Sequence, residues 1–269
     1  MSSDPASLPL RIVRAVRIVG HIVRGLWITG LRFPRLDAAG QDREIRRWAR
    51  HLLGILNVRV ACLNAPDALP SRSILVANHV SWLDIMTVFA VQPAVFIGKN
   101  DIRRWPLIGP LCAQAGTIFI ERGNRRHARR INGRVADTLS AGRVIAMFPE
   151  GTTTDGRVLY PFHRALFQSA VDADAVLQPV GIRYTDAAGA WTDAPAFVGD
   201  MSLVASIWRL VSTRELVAEL RFAAPIAAGN GHRRDLARLA EAAIARALGL
   251  APPPHREPAL PVDPQVAPQ

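Results

Sequence analysis

The sequence predicts an α/β fold with a central, mostly parallel sheet flanked by helices and preceded by an N-terminal amphipathic helical segment. Three observations carry that expectation. From residue 74 onward, short apolar runs alternate with longer helical stretches, the pattern of buried strands covered by helices. Several of those runs are followed by side chains able to bind or react, and open α/β sheets gather their sites at strand ends. A chain of 269 residues that is 49% hydrophobic also suits one large domain or two small ones with a sizeable core.

The first element covers residues 8–33. Its longest stretch free of Arg and His is seven residues, whereas a membrane span needs about 20 mostly apolar ones. At 100° per residue, Arg11, Arg14, Arg17, His21, Arg24 and Arg32 fall within roughly 140° of arc, and Ile12, Val16, Val19, Ile22, Val23, Leu26, Trp27 and Leu31 fill the opposite side. A basic amphipathic helix with Trp on its apolar face is suited to the interface of an anionic bilayer, so this segment is read as membrane-associating. The other reading packs the same apolar face on the domain. Arginines break up any signal-peptide core, and no convincing stop-transfer segment is present.

Strands are expected at 74–77 (ILVA), 94–98 (AVFIG), 117–120 (TIFI), 144–148 (VIAMF) and 175–182 (AVLQPVGI), with a later strand near 216–222 (LVAELRF) and a helix near 232–248. The last 19 residues hold seven prolines and are expected to form a disordered tail. The chain thus divides into an N-terminal amphipathic region at 1–60, an α/β domain at 61–250 and a Pro-rich tail at 251–269.

A net charge of +11 favours an anionic partner: nucleic acid, anionic lipid or a phosphorylated substrate. Only Cys62 and Cys112 occur, with no CxxC pair and no histidine cluster at ligand spacing, so a reducing compartment and no structural zinc are expected. Arginine supplies 32 of the 33 basic residues, which makes the single lysine, Lys99, conspicuous. The chain has no GxSxG elbow, no GxxxxGK phosphate loop and no GxGxxG fingerprint. Nucleic-acid binding would explain the charge but not the apolar start, and no base-stacking aromatic module is recognisable.

Asn78-His79-Val80-Ser81-Trp82-Leu83-Asp84 sets an imidazole and a carboxylate five positions apart. Imidazole ordinarily titrates near pH 6.5 or so and can take a proton at neutral pH, while a carboxylate can fix its tautomer. A structural reading stands beside the chemical one, because Ser81 with Asp84 three residues on also fits a capping box. Other strand ends carry Lys99, then Glu121-Arg122, then Pro149-Glu150-Gly151-Thr152-Thr153. Arg122 is placed to grip a phosphate through its planar fork, or is an ordinary surface arginine. Glu150-Gly151-Thr152 offers a carboxylate, a flexible turn and a hydroxyl, or is an ordinary loop ending in the Asp155-Gly156 turn. Arg125, Arg126, Arg129, Arg130 and Arg134 follow on an expected helix, either as a solvated face or toward anionic headgroups or a nucleotide-bearing donor.

Taken together, these residues resemble the glycerolipid acyltransferase family, whose best-known members are lysophosphatidic acid acyltransferases. The likeness spans roughly residues 70–185 in four ordered blocks: Asn78-His79 with Asp84; Lys99 with Trp105-Pro106-Leu107-Ile108-Gly109 and Gly116 to Arg122, including Phe119; Phe148 to Thr153; and Gln178 to Ile182. The resemblance implies transfer of a fatty acyl group from acyl-CoA or acyl-carrier protein to the free hydroxyl of a lysolipid, by default 1-acyl-sn-glycerol-3-phosphate, with lyso-ornithine lipid as the alternative acceptor. It implies His79 as general base, Asp84 as its orienter, and no metal or acyl-enzyme. Lys99, Phe119, Arg122, Glu150, Gly151 and Thr152 would bind substrate, with donors near Lys99 at the oxyanion. It implies work on the cytoplasmic face of a bacterial inner membrane, peripheral or monotopic. Glu121 stands where many relatives have Asp, and His163 where lysine is common. A noncatalytic anionic-lipid-binding protein and a lipid hydrolase are the competing classes.

Overall fold

The structure, a computed structural model, describes residues 5–120, 125–229 and 231–254, with side chains throughout except at 125–130. Helix α1 (Leu8–Trp27) starts with proline in its first turn and runs into a π-helical turn at Ile28–Arg32 and a 3-10 turn at Phe33–Arg35. Helix α2 (Ala38–Leu56) is capped by Asp37, whose carboxylate accepts the Gly40 N–H at 2.8 Å. There follow β1 (Val58–Leu63), β2 (Ser73–Ala77), α3 (Leu83–Val91), β3 (Val95–Lys99), α4 (Ile108–Gln114) and β4 (Ile118–Ile120). Then come α5 (Arg125–Ser140), β5 (Ile145–Met147), α6 (Gln168–Asp172), β6 (Val176–Thr185), α7 (Leu203–Ser212), β7 (Leu216–Phe222), β8 (Ile226–Ala227) and α8 (Arg233–Leu248).

The strands run β1-β7-β6-β2-β5-β3-β4, with β8 on β6. Every pairing is parallel except β6 with β7 and with β8. The expected mostly parallel sheet is therefore present, with each expected strand in it. Alternation along β2 divides the core into two layers. Leu75 and Ala77 face a cluster built with α2, α3 and α7, whereas Ile74 and Val76 face one built with α5 and α8. The N-terminal helices share the first cluster through Ile18, Ile45 and Leu52.

Helix α1 lies on the molecule in the opposite sense from simple packing of its apolar face. Val16, Val19, Val23 and Trp27 are exposed, and the buried positions are Arg14, Ile18, His21 and Gly25. The expected continuous cationic face is thus interrupted: Arg14 donates inward to the carbonyls of Val211, Thr213 and Arg214 at 3.1, 2.6 and 3.1 Å. His21 stacks on Trp48 of α2, with ring centroids 4.5 Å apart. Among the described residues no helix is long and apolar enough to cross a membrane. The expected tail lies outside the described residues from 255 onward.

Candidate active site

Strand β2 is buried along its whole length and delivers the chain to Asn78 at the carboxyl end of the sheet. Asn78 then acts as a substitute peptide. Its amide donates to Ile182 O at 2.9 Å and its oxygen accepts Ile182 N–H at 2.7 Å, tying the end of β2 to β6. The next residue, His79, is held from three sides. Its N–H donates to Glu150 Oε1 at 2.7 Å, and its carbonyl accepts from Thr154 N at 2.9 Å. Its ring lies flat on Phe148, with centroids 4.0 Å apart and planes 4° apart.

The ring nitrogen Nδ1 sits 2.8 Å from Asp84 Oδ2. Asp84 is fully buried, and the same Oδ2 accepts the N–H groups of Val80 at 2.7 Å and Ser81 at 2.9 Å. The Ser81 hydroxyl accepts Leu83 N–H at 3.3 Å. Half of the expected capping box is therefore present at the start of α3: Asp84 accepts Ser81 N–H, while Asp84 N–H goes to the Ser81 carbonyl and not to its hydroxyl, and the same carboxylate lies against the imidazole. With Nδ1 engaged, Nε2 is the nitrogen left to exchange a proton, and the His79 side chain is 19% exposed. An orienting carboxylate, a fixed tautomer and an accessible second nitrogen are what a general base for a hydroxyl requires.

Glu150 reaches the site from the segment after β5. Its second oxygen accepts Tyr160 N–H at 2.8 Å, so both oxygens serve backbone donors. Burial pushes its carboxyl from the ordinary 4.5 up to about 7, against the two backbone bonds and aided by the charges of Asp84 and Glu241. Gly151 follows at φ 67°, in a turn closed by its N–H on Phe148 O at 3.1 Å, and a side chain there would be strained. Thr152 is exposed beside it, and Thr153 bonds the Phe197 carbonyl.

Lys99 ends β3 in an exposed position, opposite Ile120 of β4. Phe119 is half-buried on β4, with the Arg103 guanidinium 5.9 Å from its ring centre. Arg122 lies outside the described residues, as do Glu121 and the side chains of Arg125, Arg126, Arg129 and Arg130; Arg134 is exposed on α5. Three contributors escaped the sequence reading: the stacking role of Phe148, the clamp role of Asn78, and Tyr184, whose hydroxyl donates to Asp84 Oδ1 at 2.7 Å. Phe148 and Asn78 stand within the motif stretches themselves, at 148–153 and 78–84. Tyr184 lies 100 residues from its partner and carries no local signal.

Residues 61–183 match the acyltransferase family. The chain is 36% identical over 225 residues to the 1-acyl-sn-glycerol-3-phosphate acyltransferase of Neisseria meningitidis, covering 82% of this chain and 86% of that protein. It is also 36% identical over 243 residues to the lyso-ornithine lipid O-acyltransferase of Pseudomonas aeruginosa, covering 88% and 93%. The crystal structure of the 1-acyl-sn-glycerophosphate (LPA) acyltransferase PlsC from Thermotoga maritima superposes with a TM-score of 0.68 at 19% identity, covering 90% of this chain and 94% of that one, and so shows the shared fold. By its matched residues and the extent of these likenesses, the chain belongs to the glycerolipid acyltransferase family and is an enzyme of it.

Proposed function

We propose that this enzyme moves a fatty acyl group from acyl-CoA or acyl-carrier protein to the free hydroxyl of a lysophospholipid at a membrane surface, with 1-acyl-sn-glycerol-3-phosphate as acceptor and phosphatidic acid as product. The observation that carries the reading is the 2.8 Å contact of His79 Nδ1 with buried Asp84, which leaves Nε2 to take the acceptor's proton. As Nε2 removes that proton, the hydroxyl oxygen attacks the thioester carbonyl. The tetrahedral intermediate then collapses, and the leaving thiolate takes the proton back from Nε2. Direct transfer needs no acyl-enzyme. Donors near Lys99, at the end of β3, are the candidates for the oxyanion, and Lys99, Arg122, Phe119, Gly151 and Thr152 are assigned to substrate. Glu150 joins them through its hold on the His79 backbone, shaping the wall of the site.

A second acceptor is favoured by one specific observation. The Pseudomonas aeruginosa relative named for lyso-ornithine lipid aligns over more of both chains than the Neisseria meningitidis protein does. An acceptor without a phosphate would leave Arg122 with a different task.

Purified enzyme given labelled acyl donor and a panel of lysolipids tests both readings at once. Transfer to 1-acyl-sn-glycerol-3-phosphate is expected, and His79→Ala should lower turnover by about 10²-fold or more. Turnover unchanged in His79→Ala would sink the mechanism. Label appearing as free fatty acid without an acceptor would mark a hydrolase, and vesicle binding without transfer would mark a lipid-binding protein. Placement on the cytoplasmic face of the inner membrane belongs to the same proposal, supported by the exposed apolar stripe of α1 beside its arginines.

A further inference from the structure

The two oxygens of Asp84 are served unequally. Oδ2 collects three donors, namely His79 Nδ1 and the backbone N–H groups of Val80 and Ser81. Oδ1 accepts from a single side chain, the Tyr184 hydroxyl, at 2.7 Å. Burying a carboxylate with no exposure is costly unless hydrogen-bond donors replace water at its oxygens.

Tyr184 is itself 1% exposed. It shares with Val180 and Ile182 the face of β6 turned to the α2–α3 layer, the alternation that the Asn78 clamp on Ile182 registers against β2. Its hydroxyl is therefore aimed from a mostly apolar layer at one carboxylate oxygen, with the buried Thr87 hydroxyl beside it. Burial first, then the charge of Asp84 and the hydrogen bond to it, hold this phenol well above its ordinary value, with the Thr87 hydroxyl acting the other way, so it remains a donor throughout the working range.

We propose that Tyr184 is a positioning residue of the reaction, holding Oδ1 so that Asp84 stays oriented and lends only part of its negative charge to His79. The inference rests on His79 being the base. A donor on Oδ1 draws charge away from Oδ2, and the less charge Oδ2 carries, the less it favours a proton held on the imidazole. Tyr184 thereby keeps Nε2 free to accept a proton at lower pH than the His79–Asp84 pair alone would allow.

The surroundings leave few other groups to set this balance. Facing the pair are Glu150 from the segment after β5 and, beyond it, Glu241 from α8. Helix α2 presents Arg50 to the far end of α3, at Ala90 O, and α7 presents the neutral Ser206 to Trp82. Helix α3 carries no charged side chain besides Asp84.

Tyr184→Phe keeps the ring and removes the donor. In kcat/KM against pH, the acid limb of the variant should move up by about 0.5–1 pH unit. One unit below the wild-type limb, its deficit should then be about 3- to 10-fold larger than on the alkaline plateau. The NMR titration of the His79 ring, assigned by its loss in His79→Ala, should move in the same direction. A uniform loss of activity with limb and ring titration unmoved would reduce Tyr184 to packing and overturn the proposal. Should Tyr184→Phe fail to fold, 3-fluorotyrosine supplies the opposite perturbation. The chain has only Tyr160 and Tyr184, so in a Tyr160→Phe background the fluorinated residue is Tyr184 alone. Its more acidic hydroxyl is a stronger donor and should move the limb down; an unmoved limb overturns the proposal there too. If His79→Ala retains full turnover, the acyl-transfer mechanism falls and this inference with it. If His79→Ala is inactive while the Tyr184 variants titrate as their parents do, only the role of Tyr184 falls.

Discussion

Glu150 is held between two opposing demands, and its titration follows from them. It is 3% exposed, which disfavours the ionised form, yet both oxygens accept backbone N–H groups, which favours it. Burial prevails and the carboxyl titrates at about 7 instead of 4.5. The folded state therefore binds this proton more tightly than the unfolded chain does. Its contribution to stability is fully present below about 4.5 and is lost as pH rises to about 7. Between pH 6 and 8 the change amounts to about 1 kcal/mol. Glu150→Gln has no proton to lose, so the stability of wild type relative to this variant should grow by about that amount as pH falls from 8 to 6, read from denaturant melts of both proteins. A difference independent of pH would show that Glu150 does not titrate there. The sequence marked this residue as part of a functional turn and left its partners hidden. Those partners are the backbone donors of His79 and Tyr160, and the contact to His79 bridges 71 positions along the chain.

At the scale of the element, α1 shows how a periodic sequence can be read correctly and still leave its orientation open. Its two faces were legible from the 3.6-residue period. Which face packs is decided by groups almost 200 residues away, because Arg14 finds its acceptors at the end of α7 and in the link from α7 to β7. A guanidinium satisfied by three carbonyls can be buried, and once it is, the apolar stripe must face outward. Val16, Val19, Val23 and Trp27 are 66%, 63%, 59% and 56% exposed, a row of large apolar groups with no cover from the described residues. Arg17 and Arg24, also exposed, lie at the border of that row. This is the arrangement of an interfacial helix, with apolar groups below the headgroups and guanidinium heads at their level. Val19→Glu combined with Trp27→Ala spares Arg14 and every buried position. It should cut co-sedimentation with anionic vesicles by about tenfold or more while leaving the melting temperature within about 2 °C of wild type. Retained vesicle binding would remove α1 from the membrane contact.

Across the whole molecule, the strands buried on both faces were the legible part. β2, β5 and β6 read as continuous apolar runs because helices cover them on both sides. β1, VRVACL, escaped notice because it is an edge strand exposed along much of its length. The antiparallel turn of β7 onto β6 also left no mark, since a central strand looks alike in either direction. The layered arrangement nonetheless gives the net charge of +11 a distribution to act through. On the proposed anionic surface, the outward stripe of α1 would supply contact independent of salt, and the exposed arginines attraction that salt screens. Near an anionic surface each arginine contributes about 1 kcal/mol, and the screening length falls from about 10 Å at 0.1 M to about 3 Å at 1 M. Partitioning onto anionic vesicles should therefore drop by about tenfold or more across that range of salt. Partitioning onto zwitterionic vesicles should be weak at both concentrations and nearly unchanged, because the apolar stripe alone holds the protein there. Equal binding to the two kinds of vesicle at 0.1 M would mean that the charge has no part in recruitment. Membrane approach would then fall to the apolar groups alone, since arginines pointing away from the bilayer by more than a screening length contribute nothing to it.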